Sequence, residues 1–138
     1  MSNCKIRRSE LAQEFKQCKD AFIVLGDETR QQIVIALLES DGHGIRVGEI
    51  TKKTHLSRPA VSHHLKILKN SGIINMHREG TKNYYYVNSN ESQWKQLTYF
   101  INHIYSIIQE VSSNNHNKTN DCNHIESYLE ECKNDIVF

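Results

Sequence analysis

Between Val47 and Asn70 two short amphipathic stretches are separated by only three residues, His55-Leu56-Ser57. So short a joint turns the second helix sharply against the first, and few helical architectures accept that. The first stretch, Val47 to Thr54, is long enough for about two turns. In the second, the Ser57 hydroxyl is placed to cap the N-terminus. Pro59 falls in the first turn, where no intrahelical donor is lost. Val61, Leu65 and Leu68 recur at spacings of four and three and read as one buried face. Gly72 follows the last periodic residue and supplies the C-terminal stop.

The flanking segments decide what this pair packs against. Upstream, Leu11, Phe15, Cys18, Phe22 and Leu25 form one helical stripe. Gly26 ends it, and Asp27 caps a second helix whose buried face reads as Ile33, Val34, Leu37 and Leu38. Ser40 to Gly44 is a loop by composition. Downstream of Asn70 the period changes from 3.6 to 2. Ile74, Met76 and Arg78 alternate with Ile73, Asn75 and His77, Glu79-Gly80-Thr81-Lys82 is turn chemistry, and Tyr84-Tyr85-Tyr86-Val87 is rich in strand formers. A two-stranded hairpin is expected there. A long helix follows from about Glu91 to Val111, with Trp94, Leu97, Ile101, Ile104, Ile108 and Val111 in an unbroken seam. The reading is an α+β, mostly helical fold: a helix-turn-helix with a two-stranded β-wing and long terminal helices. Residues 1–10 are expected to be a flexible N-terminus, 11–111 the folded domain, 112–120 a polar linker and 121–138 a C-terminal helical extension.

Charge is distributed unevenly. From Arg46 to Lys82 there are eight Lys/Arg against two Glu, while from Ser112 to Phe138 there are two Lys against five Asp/Glu. A basic middle on this architecture is the footprint of a polyanion, here duplex DNA entered by the helix that starts at Ser57. On that helix Ser57, Arg58, Pro59, Ser62, His63, Lys66 and Lys69 are the candidate DNA contacts. Arg58 stands near the N-terminus, where it can pair with guanine O6 and N7. Lys52 and Lys53 suit phosphates, and Arg78 and Lys82, with His77 beside them, would reach DNA from the wing.

These stretches resemble the ArsR-type (ArsR/SmtB) repressors. The resemblance is carried by Leu25-Gly26-Asp27-Glu28-Thr29-Arg30, Val47-Gly48-Glu49-Ile50, Leu56 to Leu68, and Ser71-Gly72-Ile73-Ile74 through Arg78-Glu79-Gly80 to Tyr84-Tyr85-Tyr86-Val87, and it covers roughly Leu11 to Val111. It implies a sequence-specific regulator that represses transcription until an inducer releases it. It also implies a homodimer joined by the first and last helices, whose stripes supply Leu11, Phe15, Cys18, Phe22, Trp94, Leu97, Ile101, Ile104, Ile108 and Val111. The expected partner is double-stranded operator DNA with an inverted repeat. The alternative reading is a winged-helix module that binds protein and no specific DNA.

The family's metal motifs are missing. Where a Cys-Val-Cys would stand in the third helix, Arg46 and Gly48 flank Val47, and the long helix offers only His103 and Glu110, with Glu91 at its start. No metal or cofactor is therefore assigned from the family's motifs. The remaining sensor candidates are Cys4, Cys18, Cys122 and Cys132, through thiol oxidation or a thiophilic metal ion. The rival reading is that they are small buried hydrophobes. Neither a phosphate loop nor a nucleophile motif is present, so no enzyme is expected. The N-terminus lacks an apolar signal region and no apolar run is long enough to span a bilayer, so a cytoplasmic protein without membrane contact is expected.

Overall fold

The computed structural model describes residues 3–88 and 92–114. The elements run α1 (Asn3–Leu25), α2 (Glu28–Leu38), α3 (Val47–Thr54), α4 (Arg58–Asn70), β1 (Ile74–Glu79), β2 (Lys82–Val87) and α5 (Ser92–Asn114). Helix α1 begins well before Leu11, because no glycine or proline interrupts the chain from Asn3 to Leu25. Residues 112–114 of the expected linker continue helix α5, and the rest of the linker and the expected C-terminal helix, with Cys122 and Cys132, lie outside the described residues.

The α1–α2 corner follows from capping. Gly26 donates its N–H to Phe22 O at 2.8 Å, and a Cβ at Gly26 would meet that same oxygen at 3.0 Å. Arg30 N–H donates to Asp27 Oδ1 at 2.9 Å. This bond holds the Asp27 carboxyl below its usual range, so the cap is complete at neutral pH and weakens as pH falls through the lowered value. Side chains of α2 also satisfy the last carbonyls of α1: Arg30 Nε donates to Val24 O at 2.7 Å and Gln31 Nε2 to Leu25 O at 2.6 Å. On α2 the buried side chains are Ile33, Val34, Ala36 and Leu37. Leu38, expected inside, is 63% exposed, and Ala36 takes its place. Leu38 lies about 40° beyond Val34 round the helix, just past the edge of the buried arc.

Helices α3 and α4 form the expected tight pair. His55 turns the chain in the left-handed region, at φ 57°, and donates its N–H to Thr51 O. Histidine adopts this conformation more readily than most residues. Ser57 Oγ then accepts the Ala60 N–H at 3.3 Å. Val61, Leu65 and Leu68 are buried, and α4 ends at Gly72, where φ is +80°. The wing pairs β1 antiparallel to β2, from Ile74↔Val87 to Glu79↔Lys82, around Gly80-Thr81, with Gly80 at φ +62°.

One link was not legible in the sequence. Ile45 forms a bridge with Tyr85, their N–H and C=O groups exchanging two hydrogen bonds of 2.9 Å. The approach depends on Gly44, at φ +97°, where a Cβ would stand 2.9 Å from Tyr85 O. Gly44→Ala is therefore expected to lose about 1–3 kcal/mol of stability. Denaturant unfolding monitors this, with Gly42→Ala as the control for positive φ without the clash, since a Cβ at Gly42 (φ +83°) meets nothing.

The core lies within the described residues up to Ile104, which form one compact unit, and residues 105–114 of helix α5 belong to a second. Ile33, Ile50, Leu65, Leu68, Ile73, Ile74, Val61 and Cys18 are its most enclosed side chains. In this unit Leu97 and Phe100 of α5 are buried. Phe100 meets Phe15 and Phe22 edge-on at 5.3 and 6.0 Å. Trp94 Nε1 donates to Ile73 O at 3.0 Å, tying α5 to the base of the wing.

Candidate nucleic-acid interface

All eleven side chains expected to meet DNA are exposed: Lys52 and Lys53 on α3; Ser57, Arg58, Pro59, Ser62, His63, Lys66 and Lys69 on or capping α4; Arg78 and Lys82 on the wing. Their exposure follows from the helix period. Val61 and Leu65 face the core, so Ser62, Lys66 and His63 fall about 100–200° round the same helix. The hydrophobic anchors and the polar face are thus one pattern. Positive charge also gathers where helix carbonyls are unsatisfied, with Lys52 and Lys53 in the last turn of α3 and Lys69 in that of α4.

Two wing side chains are held by neighbours. Arg78 Nε donates to Gly80 O at 2.9 Å, which fixes its guanidinium against the turn. The His77 ring stacks on Tyr84 at 5.3 Å, and its Nε2 lies 3.3 Å from Glu79 Oε1. The register explains the stack: His77 is directly opposite Tyr84 on one face of the hairpin.

Between α3, α4 and the wing turn lies an open cleft of about 390 Å³, bordered by Arg46, Val47, Gly48, Glu49, Lys52, Arg58, Thr81 and Asn83. Lys52 and Arg58 were candidates from sequence. Arg46, Thr81 and Asn83 were not, because only the folding of the wing back onto α3 brings them together. The one local signal was Arg46 itself, a cation placed just before a helix.

The expected dimer residues divide. Cys18 is fully enclosed and Leu97 is 5% exposed within the protomer, so both serve its own core and are not free to face a partner. Leu11, Phe22, Trp94 and Ile104 are half-buried against that core. Phe15 and Ile101 are exposed, at 46% and 54%, and Ile23 and Tyr99, which the stripes did not include, are exposed as well. Ile108 and Val111 belong to the part of α5 beyond residue 104. The apolar arc of α5 is thus wider than one protomer covers. Ile101 lies about 100° from Phe100 round the helix and is more than half exposed.

The sensor candidates divide too. The Cys18 thiol donates to Phe15 O at 3.6 Å, and burial, with the nearby negative Glu14, pushes its pKa up. That lowers the thiolate fraction, the opposite of what a reactive cysteine needs. Cys122, Cys132 and the side chain of Cys4 lie outside the described residues. On the single helix α1, Cys4 and Cys18 are separated by about 21 Å of rise, so they cannot bond to each other. His103 is held by Glu14, its Nδ1 2.8 Å from Oε1, and among the described residues no three His, Cys, Asp or Glu side chains converge as metal ligands. The His63 and His64 rings meet edge-on at 5.3 Å.

Residues 27–76 match the family described as bacterial regulatory protein, arsR family. The chain is 35% identical over 75 residues to an uncharacterized HTH-type transcriptional regulator of Methanocaldococcus jannaschii, covering 54% of this chain and 82% of that protein. It is 36% identical over 70 residues to the transcriptional repressor SdpR of Bacillus subtilis, covering 51% and 74% respectively. The crystal structure of a transcriptional regulator HlyU from Vibrio vulnificus aligns with a TM-score of 0.54 at 26% identity, over 65% of this chain and 91% of that one.

Proposed function

This chain belongs to the ArsR family of bacterial regulatory proteins and is a DNA-binding transcriptional regulator, and from that premise we propose that it represses transcription as a homodimer on an inverted-repeat operator. The observation that carries the reading is that the side chains of α3, α4 and the wing expected to meet DNA are all exposed, with Lys52 and Arg58 bordering one cleft against the wing turn. In the dimer, the exposed apolar residues of α1 and α5, Phe15, Ile23, Tyr99 and Ile101, pack across a two-fold axis. Two α4 helices then enter successive major grooves about 34 Å apart. Arg58, at the first position of α4, reads a guanine; Ser62 and His63 contact bases or phosphates one turn on. Lys52, Lys53, Lys66, Lys69, Arg78 and Lys82 neutralise phosphates. Such a protein works in the cytoplasm, beside its DNA; no helix among the described residues is long and apolar enough to cross a membrane.

Fluorescence anisotropy with duplex DNA at several salt concentrations tests this. Wild type should lose affinity steeply as salt rises, since each neutralised phosphate releases counterions. Arg58→Ala should cost about 1–3 kcal/mol and relax preference at one or two base positions. Lys82→Ala should weaken binding about equally on all sequences and shrink the salt slope by about one. A protein that binds no duplex would instead be a protein-binding module, and an unchanged sequence preference in Arg58→Ala would misplace the reading residue.

A further inference from the structure

We infer that the cleft between α3, α4 and the wing turn holds one backbone phosphodiester of the bound DNA, gripped by Arg46 and Lys52 from one side and by Thr81 and Asn83 from the other. This rests on the DNA-binding reading and adds to it a place, a ligand and residues that the helix-turn-helix pattern alone does not supply.

Charge points to an anion. Three cations, Arg46, Lys52 and Arg58, border the cleft against one carboxylate, Glu49. Arg58 stands at the start of α4 and is kept for base readout; Arg46 lies just before α3 and Lys52 on it, outside the helix proposed to read bases. The opposite wall is neutral but can donate, through the Thr81 hydroxyl and the Asn83 amide. Asn83 is directly opposite Arg78 in the hairpin register, so the wing carries a cation on the same face as Asn83.

Shape points to a backbone group approaching closely. Arg46 is the N-cap residue of α3 in extended conformation, and its side chain makes no capping bond. The N–H groups of Glu49 and Ile50 both donate to Arg46 O, at 3.0 and 3.1 Å. Beside them Gly48 leaves the floor open: a Cβ built there meets nothing within 4 Å. The fold does not need glycine at this position for room or for a positive φ. A methyl group at Gly48 would therefore be harmless to the protein and would stand in the way of a ligand. Because the cleft joins the wing turn to the helix pair, a phosphate there would also fix the wing's position relative to α4.

The test uses the full-length protein, a random-sequence duplex and a duplex enriched for tight binding. Arg46→Gln is expected to weaken binding by the same factor on both and to reduce the salt slope by about one. Gly48→Ala should weaken DNA binding about tenfold while unfolding at the same or a higher temperature, since alanine favours a helix over glycine. Glu49→Gln should tighten binding to both duplexes. Single neutral methylphosphonate linkages, scanned along the enriched duplex, should reveal a position per half-site that matters to wild type and not to Arg46→Gln. If wild type binds DNA but Arg46→Gln and Gly48→Ala bind equally well, the cleft assignment is wrong and the DNA-binding reading stands. A wild type that binds no duplex overturns both. If millimolar inorganic phosphate raises the unfolding temperature of wild type but not of Arg46→Gln, and no methylphosphonate position distinguishes them, the ligand is free phosphate and the backbone assignment falls.

Discussion

Ile101→Glu is expected to leave the protomer folded, to yield monomers, and to weaken operator binding by about 10²–10⁴-fold, the advantage that linking two half-site contacts normally confers. The protomer tolerates the change because Ile101 is 54% exposed. A dimer would not tolerate it, since two buried carboxylates would face each other across the two-fold axis without cations. The neighbouring seam residue Ile104 is a poorer probe: it packs against the protomer core, so a charge there would disturb folding as well as assembly. Sedimentation at micromolar concentration and circular dichroism, read with the anisotropy, separate the two effects. A wild type that is already monomeric, or an Ile101→Glu variant that binds operator like wild type, would remove α5 from the interface.

Leu65→Ala should lose about 2–5 kcal/mol of folding stability, the range for truncating a fully buried leucine that leaves a cavity. Leu65 is 1% exposed and sits at the centre of the α4 face that meets the core. Set against a total of about 5–15 kcal/mol for an ordinary domain, this is a large fraction. The recognition helix has no other anchorage of comparable depth than Val61 and Leu68 beside it. DNA affinity should fall with the folded fraction and recover at lower temperature. Lys66→Ala, one residue on and exposed, is the matched control, expected to change stability by less than about 0.5 kcal/mol. Urea unfolding followed by tryptophan fluorescence suits both, since Trp94 is bonded to Ile73 beside this core. A loss under 1 kcal/mol for Leu65→Ala would mean that α4 is not held as described.

Much of this protein was readable before any fold was known, where the information is local. The joint His55-Leu56-Ser57, the caps at Asp27 and Ser57, the stop at Gly72 and the hairpin turn at Gly80 each depend on a few adjacent residues, and each stands where the pattern placed it. The exposed polar face of α4 was legible for the same reason: once Val61, Leu65 and Leu68 are assigned inward, the helix period puts Ser62, His63 and Lys66 outward. What periodicity cannot tell is how wide a face its neighbours will cover. Leu38 lies one residue beyond the arc that the core reaches and is exposed, whereas Phe100, off the expected seam, is buried by Phe15 and Phe22. The same limit assigned Cys18 and Leu97 to an interface when the protomer itself encloses them. The cleft shows the other limit. Arg46 and Gly48 are distant in sequence from Thr81 and Asn83, and no spacing rule relates the two pairs. The sequence by itself determined the elements, their ends and the outward chemistry of α4, because these are settled by hydrogen bonds and periodicity within one segment. Only the tertiary structure decided which apolar residues remain uncovered and which polar ones share a cleft, because both depend on the docking of the wing and α5 against segments far away in the chain.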